Sequence, residues 1–174
     1  MRTKLTPLRR SGLLAGVLVL AVACGDESSS GASRQCTAVG TLVGITLDIA
    51  PPYADQIAGA HMRTCWDGAC KDADVILSPS SRTDPKGCTG EMCSAQVVFT
   101  GGKNGAAPVP GLPGTPVQVT LTLTPASGGA PLVRELAVTP TASYPNGKDC
   151  GSDGFQGRVA VAADGTATAV PLGT

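Results

Sequence analysis

Apolar and polar residues alternate along much of the chain beyond residue 38, at the two-residue period of β-strands. Val39, Thr41, Val43, Ile45, Leu47 and Ile49 hold the odd positions of the first such run, and Pro51-Pro52 ends it. Residues 58–66 and 69–77 flank Asp67-Gly68. That dipeptide favours a two-residue hairpin turn, because both residues tolerate positive φ. Residues 93–100 alternate again, with Ala95, Val97 and Phe99 on one face. Residues 117–124 alternate without a fault, 125–131 form a turn and 132–139 return. Tyr144-Pro145-Asn146-Gly147 is a further turn. Asp164-Gly165, between residues 158–162 and 166–170, predicts a second two-residue hairpin. Residues 78–87 carry two prolines and 101–116 are dense in glycine and proline, so both are expected to be loops. Residues 54–60 have room for one short helical turn.

Short strands at regular spacing, broken by Gly/Pro turns and without a helical period, predict an all-β domain. The expected architecture is an antiparallel, immunoglobulin-like β-sandwich of about 7–8 short strands, stapled by disulfides. A closed barrel is the alternative. Aromatic residues are only 3% of the chain, so Val, Leu, Ile and Ala must fill the core.

The N-terminus has a different pattern. Arg2, Lys4, Arg9 and Arg10 precede an apolar run from Leu13 to Ala23. Eleven residues reach about 16 Å as a helix, against a hydrocarbon core of about 30 Å. The run is too short to span a membrane and fits the apolar region of a secretory signal. It ends Leu20-Ala21-Val22-Ala23-Cys24, which resembles the bacterial lipobox. That resemblance implies cleavage before Cys24, a diacylglycerol thioether on its sulfur and acylation of the new amine. The same residues also satisfy an ordinary Ala-x-Ala cleavage site. Residues 1–23 are thus read as a lipoprotein signal peptide, 24–35 as a lipidated Cys and Gly/Ser tether, and 36–174 as the β-sandwich domain.

Charge is informative at this point. The whole chain has 13 basic and 13 acidic residues and a formal charge of zero, which excludes electrostatic binding of nucleic acid. Cleavage before Cys24 removes four basic residues and no acid, leaving a formal charge of −4. Such a domain is not held at an anionic membrane by its own charge, so the acyl chains are the expected anchor. The expected localisation is the outer face of the bacterial cytoplasmic membrane.

Apart from Cys24 the chain has six cysteines: Cys36, Cys65, Cys70, Cys88, Cys93 and Cys150. An even number in an exported chain suggests three disulfides, with 15 connectivities open; a zinc site or free thiols are the alternatives. A two-residue turn at Asp67-Gly68 narrows the choice. It makes Trp66 and Ala69 a hydrogen-bonded pair and Cys65 and Cys70 the next, non-hydrogen-bonded pair. Their Cα atoms would then lie about 4.5 Å apart, within bridging distance. The same register sets Arg63 opposite Asp72 and His61 opposite Asp74. Cys88 and Cys93 around Gly90-Glu91 would repeat the geometry, and Cys36 with Cys150 would remain.

Several segments together resemble an uncharacterised group of small secreted lipoproteins of actinobacteria. They are the lipobox Cys24, Cys65-Trp66-Asp67-Gly68-Ala69-Cys70, Leu112-Pro113 leading into Pro116-Val117-Gln118-Val119-Thr120-Leu121, Val138-Thr139-Pro140, Tyr144-Pro145-Asn146-Gly147 and Cys150-Gly151. The resemblance implies an exported, lipidated, β-rich protein and supplies no site residue.

Candidate chemistry is sparse. His61 is the single histidine, which leaves no multi-His metal site, and its strand position reads as an exposed sheet face. Asp72, Asp74, Asp84 and Glu91 read as surface acids. The run from Asp149 to Gly154 resembles the start of a calcium loop but has Gly151 in the third place and Ala160 in the twelfth, where ligands are needed. Trp66, Tyr53 and Tyr144 are candidates for an aromatic binding spot. No catalytic residue, metal ligand or cofactor is expected. The function expected is a membrane-anchored lipoprotein whose domain binds an envelope protein or small ligand. The alternative is a surface-tethered inhibitor of secreted enzymes, presenting residues 101–116 as its loop.

Overall fold

The computed structural model describes residues 36–172. The expected signal peptide, Cys24 and the tether lie outside the described residues. The chain forms ten strands: β1 (Gly44–Ile49), β2 (Ile57–Trp66), β3 (Ala69–Val75), β4 (Ser78–Thr89), β5 (Met92–Pro108), β6 (Val117–Pro125), β7 (Leu132–Val138), β8 (Thr141–Ala142), β9 (Phe155–Val161) and β10 (Ala167–Ala169). The fold is all-β, as expected, with no α-helix among the described residues. One sheet has the order β10-β9-β1-β5-β4, with β8 also on β9, and it curls into a half-barrel. The other has the order β3-β2-β6-β7. All pairs are antiparallel except β1 with β9, which corrects the wholly antiparallel expectation.

The core lies between the two sheets. Ile45, Leu47 and Ile49 of β1 face Met62 of β2 and Val117, Val119, Leu121 and Leu123 of β6, and all are buried. The alternation in residues 117–124 is thus the inward face of a half-covered strand. Tyr53 and Ala54 sit in a single 3₁₀ turn, Tyr53–Gln56, that closes one end of the core. The first strand starts at Gly44 rather than at residue 39. Residues before it are held instead by the Asn146 side chain, whose Oδ1 accepts from the Val39 amide at 3.1 Å while its Nδ2 donates to the Val39 carbonyl at 2.9 Å.

One expected loop and the first half of another are strands, while residues 109–116 are a loop as expected. Residues 78–87 belong to β4 despite Pro79 and Pro85. β4 is an edge strand, where a missing amide costs no ladder bond, and both prolines border register shifts. Residues 101–108 complete β5, paired with β1 from Lys103 onward. Their glycines serve close approach rather than breakage. A Cβ on Gly102 would lie 2.8 Å from the Ile49 carbonyl oxygen, and one on Gly105 would lie 2.6 Å from the Ile76 carbonyl oxygen.

The turns obey local chemistry. Asp67 (φ 46°) and Gly68 (φ 76°) make the expected two-residue hairpin of mirror-image type. The loop at Asp164-Gly165 has three residues, because Ala162 donates to the Thr166 carbonyl and Ala163 joins the turn. Gly165 there has φ 82° and abuts the Tyr53 ring. The Thr166 amide, and then its hydroxyl, hold the Asp164 carboxyl below its usual range. What this bond adds to the loop is present above the ordinary carboxylate range. It is lost as pH falls through the lowered value.

Thr64 is the one polar side chain fully buried among the described residues, and its hydroxyl has no hydrogen-bond partner. An unpaired buried hydroxyl costs roughly 1–3 kcal/mol, whereas valine has nearly the same shape. Thr64→Val is therefore expected to raise unfolding stability by about 1 kcal/mol, read as a higher urea midpoint at constant slope.

Candidate functional site

The structure joins the six cysteines as Cys36–Cys150, Cys65–Cys70 and Cys88–Cys93. The hairpin register is the expected one: Trp66 pairs with Ala69, Cys65 with Cys70, Arg63 with Asp72 and His61 with Asp74. The Cys65 and Cys70 Cα atoms are 4.1 Å apart, on the face of β2 opposite buried Met62 and Thr64. The side chain of His61 departs from the expectation. Its Nε2 lies 3.8 Å from Oδ1 of Asp72, one step along the strand, and not on Asp74. Arg63 Nη1 stands 3.8 Å from the other oxygen of the same carboxylate. A histidine on an exposed sheet face, sharing a solvated carboxylate with an arginine, is a surface charge cluster.

The candidate aromatic spot is dispersed. Tyr53 is in the core against Gly165, Trp66 packs partly buried on the core's edge, and Tyr144 is exposed in the loop before β9. Tyr144 lines an open cavity of about 660 Å³ with Thr141, Ser143, Lys148 and Gln156. This cavity lies beside the Cys36–Cys150 bridge and the Asn146 clamp. In the calcium-like run, Asp153 Oδ2 accepts from Asn146 Nδ2 at 3.2 Å, and the Asp153 amide donates to the Ser143 carbonyl. Those contacts make the run a structural turn. Among the described residues no group of three or more His, Cys, Asp or Glu side chains is gathered to hold a metal ion.

The strand directions order these features along the molecule. Gly44 is level with Pro108 and Gln156, and Ile49 with Lys103 and Val161. Cys36 and Cys150 both precede the Gly44–Gln156 level. Beyond the Ile49–Lys103 level, at the opposite end, β4 and β5 continue alone as a two-stranded arm. Its tip is the turn at Gly90-Glu91, closed by Cys88–Cys93. Ala95, Val97 and Phe99 share one face, as expected, but that face is not in the core: Val97 is 62% exposed and Phe99 71%. The alternation marks a strand with two unlike faces, and nothing among the described residues covers the apolar one.

The body of the domain thus carries the Cys36–Cys150 bridge and the open cavity at one end and an apolar, disulfide-tipped arm at the other. No family model matches the chain, and no curated protein or solved structure matches it either.

Proposed function

We propose that this chain is a lipid-anchored protein of the outer face of the bacterial cytoplasmic membrane, with a non-catalytic domain that binds an envelope protein or small ligand. One observation carries the reading. Six of the seven cysteines are joined to one another, so none is left to pair with Cys24. Three disulfides suit an oxidising compartment. A seventh cysteine after an apolar export run and small residues suits thioether attachment. The resemblance to secreted actinobacterial lipoproteins belongs to the same reading, as does an immunoglobulin-like class for the two sheets around their single core. Binding rather than catalysis is favoured because the one histidine lies on a solvated sheet face among Arg63 and Asp72. The alternative of a tethered inhibitor keeps only part of its expected loop, since residues 103–108 are paired within the sheet.

The test is Cys24→Ala in cells. The wild-type chain is expected to take up labelled fatty acid and to remain with membranes through a high-salt wash, because screening weakens charge contacts and not buried acyl chains. The variant should lose the label entirely and appear unprocessed or released. A Cys24→Ala protein that is processed and membrane-bound as before would refute the anchor.

A further inference from the structure

The arm treats its two edges differently. No residue from 81 to 100 is buried, so the ribbon stands clear of the body. The outer edge of β4 carries Pro79 and Pro85 and, at Lys86, the extra residue of one register shift, the devices that blunt a strand edge against pairing. The extra residues of the other shift, Thr100 to Gly102, lie on β5 at the root of the arm, and from Met92 to Phe99 its outer edge has none of these. From Met92 to Gly102 it holds no proline and no charged residue, and it includes Val97, Val98 and Phe99.

The alternation of the ladder says which groups that edge offers. The Cys88 and Cys93 Cα atoms are 3.9 Å apart, the close spacing of a non-hydrogen-bonded pair. Every second residue of β5 from Cys93 therefore turns its amide and carbonyl away from β4: Cys93, Ala95, Val97 and Phe99. Pro85 is opposite Ala95 in such a pair, where its missing amide faces outward. The four β5 residues with outward backbone groups are also those with side chains on the apolar face.

We propose that this edge is a homodimer interface, pairing antiparallel with the same edge of a second copy across a two-fold axis through Gln96. In that register Ala95 faces Val97, Cys93 faces Phe99, Ser94 faces Val98 and Gln96 faces itself. No like charges meet, because the segment has none. A two-fold axis normal to the ribbon keeps both apolar faces on one side, so the cross-strand neighbours there are apolar on apolar. The proline-bearing β4 strands become the outer edges of a four-stranded ribbon. Growth therefore stops at two copies, a closed isologous pair rather than a filament.

The test is cysteine cross-linking of the full chain in intact cells. Facing Gln96 residues form a non-hydrogen-bonded pair about 4.5 Å apart, so Gln96→Cys falls within disulfide reach of its own copy. Ser94→Cys would sit about 14 Å from its copy and out of reach. On non-reducing gels, Gln96→Cys is expected to give at least about tenfold more disulfide dimer than Ser94→Cys. Adding Val97→Lys to Gln96→Cys should remove that dimer, since an edge lysine opposes strand addition. Peptide mapping of the Cys65–Cys70 bridge confirms that each variant is folded. A folded Gln96→Cys protein that stays monomeric would overturn the proposal. Equal cross-linking at both positions would overturn it too. Capture of a different protein through position 96 in place of the dimer would assign the edge to that partner and overturn self-pairing.

Discussion

Removing the Cys36–Cys150 bridge by double alanine substitution is expected to cost about 5 kcal/mol of unfolding stability. The bridge spans a sequence separation of 114 residues. On chain-entropy grounds a loop of that size restricts the unfolded ensemble by about 4.8 kcal/mol, against about 2 kcal/mol for a five-residue clip such as Cys65–Cys70. Domains of this size are stable by roughly 5–15 kcal/mol, so the long bridge is a large share of the total and the clip is not. Thermal unfolding monitored by circular dichroism should show a fall of roughly 15–20 °C for Cys36→Ala/Cys150→Ala, and less than half of that for Cys65→Ala/Cys70→Ala. Equal shifts for the two would contradict the entropic account. The long bridge also secures residues 36–43, which have no strand of their own and are otherwise tied by Asn146 at Thr37 and Val39 and by Ser143, Gln156 and Val109 at residues 41–43.

Gly105→Ala is expected to cost about 3 kcal/mol, the upper end of overpacking. The added methyl would meet the Ile76 carbonyl oxygen and Val75 Cγ1, each at 2.6 Å. One of these is backbone, and it belongs to the short link that carries the chain from β3 in one sheet to β4 in the other. The strain therefore falls on the distance between sheets and cannot be relieved by a rotamer change. Gly40→Ala is the control: a Cβ there meets nothing within 4 Å, and the change should be nearly neutral. Urea unfolding of the two variants reads the difference directly. A Gly105→Ala protein as stable as Gly40→Ala would mean that the sheets part at no cost.

Which parts of this fold could be read from the sequence follows from how local each signal is. The hairpin of β2 and β3 was legible because Asp67-Gly68 imposes its own turn, and the turn fixes the register that joins Cys65 to Cys70. β6 was legible because its inward positions are unbroken. β4 was not, because proline argues against a strand only where a neighbour needs its amide. Being an edge strand is a property of the finished sheet. The glycines of β5 misled in the same way: they read as breakers, yet Gly102 and Gly105 are small because other backbone passes close by. For His61, backbone register was predictable, but a side chain can reach diagonally, and it reached Asp72. The apolar stripe of Val97 and Phe99 was visible as a period, but a period does not say whether either face is covered.

The parallel pairing of β1 and β9 has a mechanical consequence. Both strands leave the end of the sheet where Cys36 and Cys150 are bonded, so tension entering at Cys36 divides between them instead of peeling one away. β5 lies antiparallel on the other side of β1 and runs without interruption into the arm. A load applied between Cys36 and the arm's tip would draw β1 and β5 past each other lengthwise. The six rungs from Gly44–Pro108 to Ile49–Lys103 would then bear it together in shear, rather than opening one at a time.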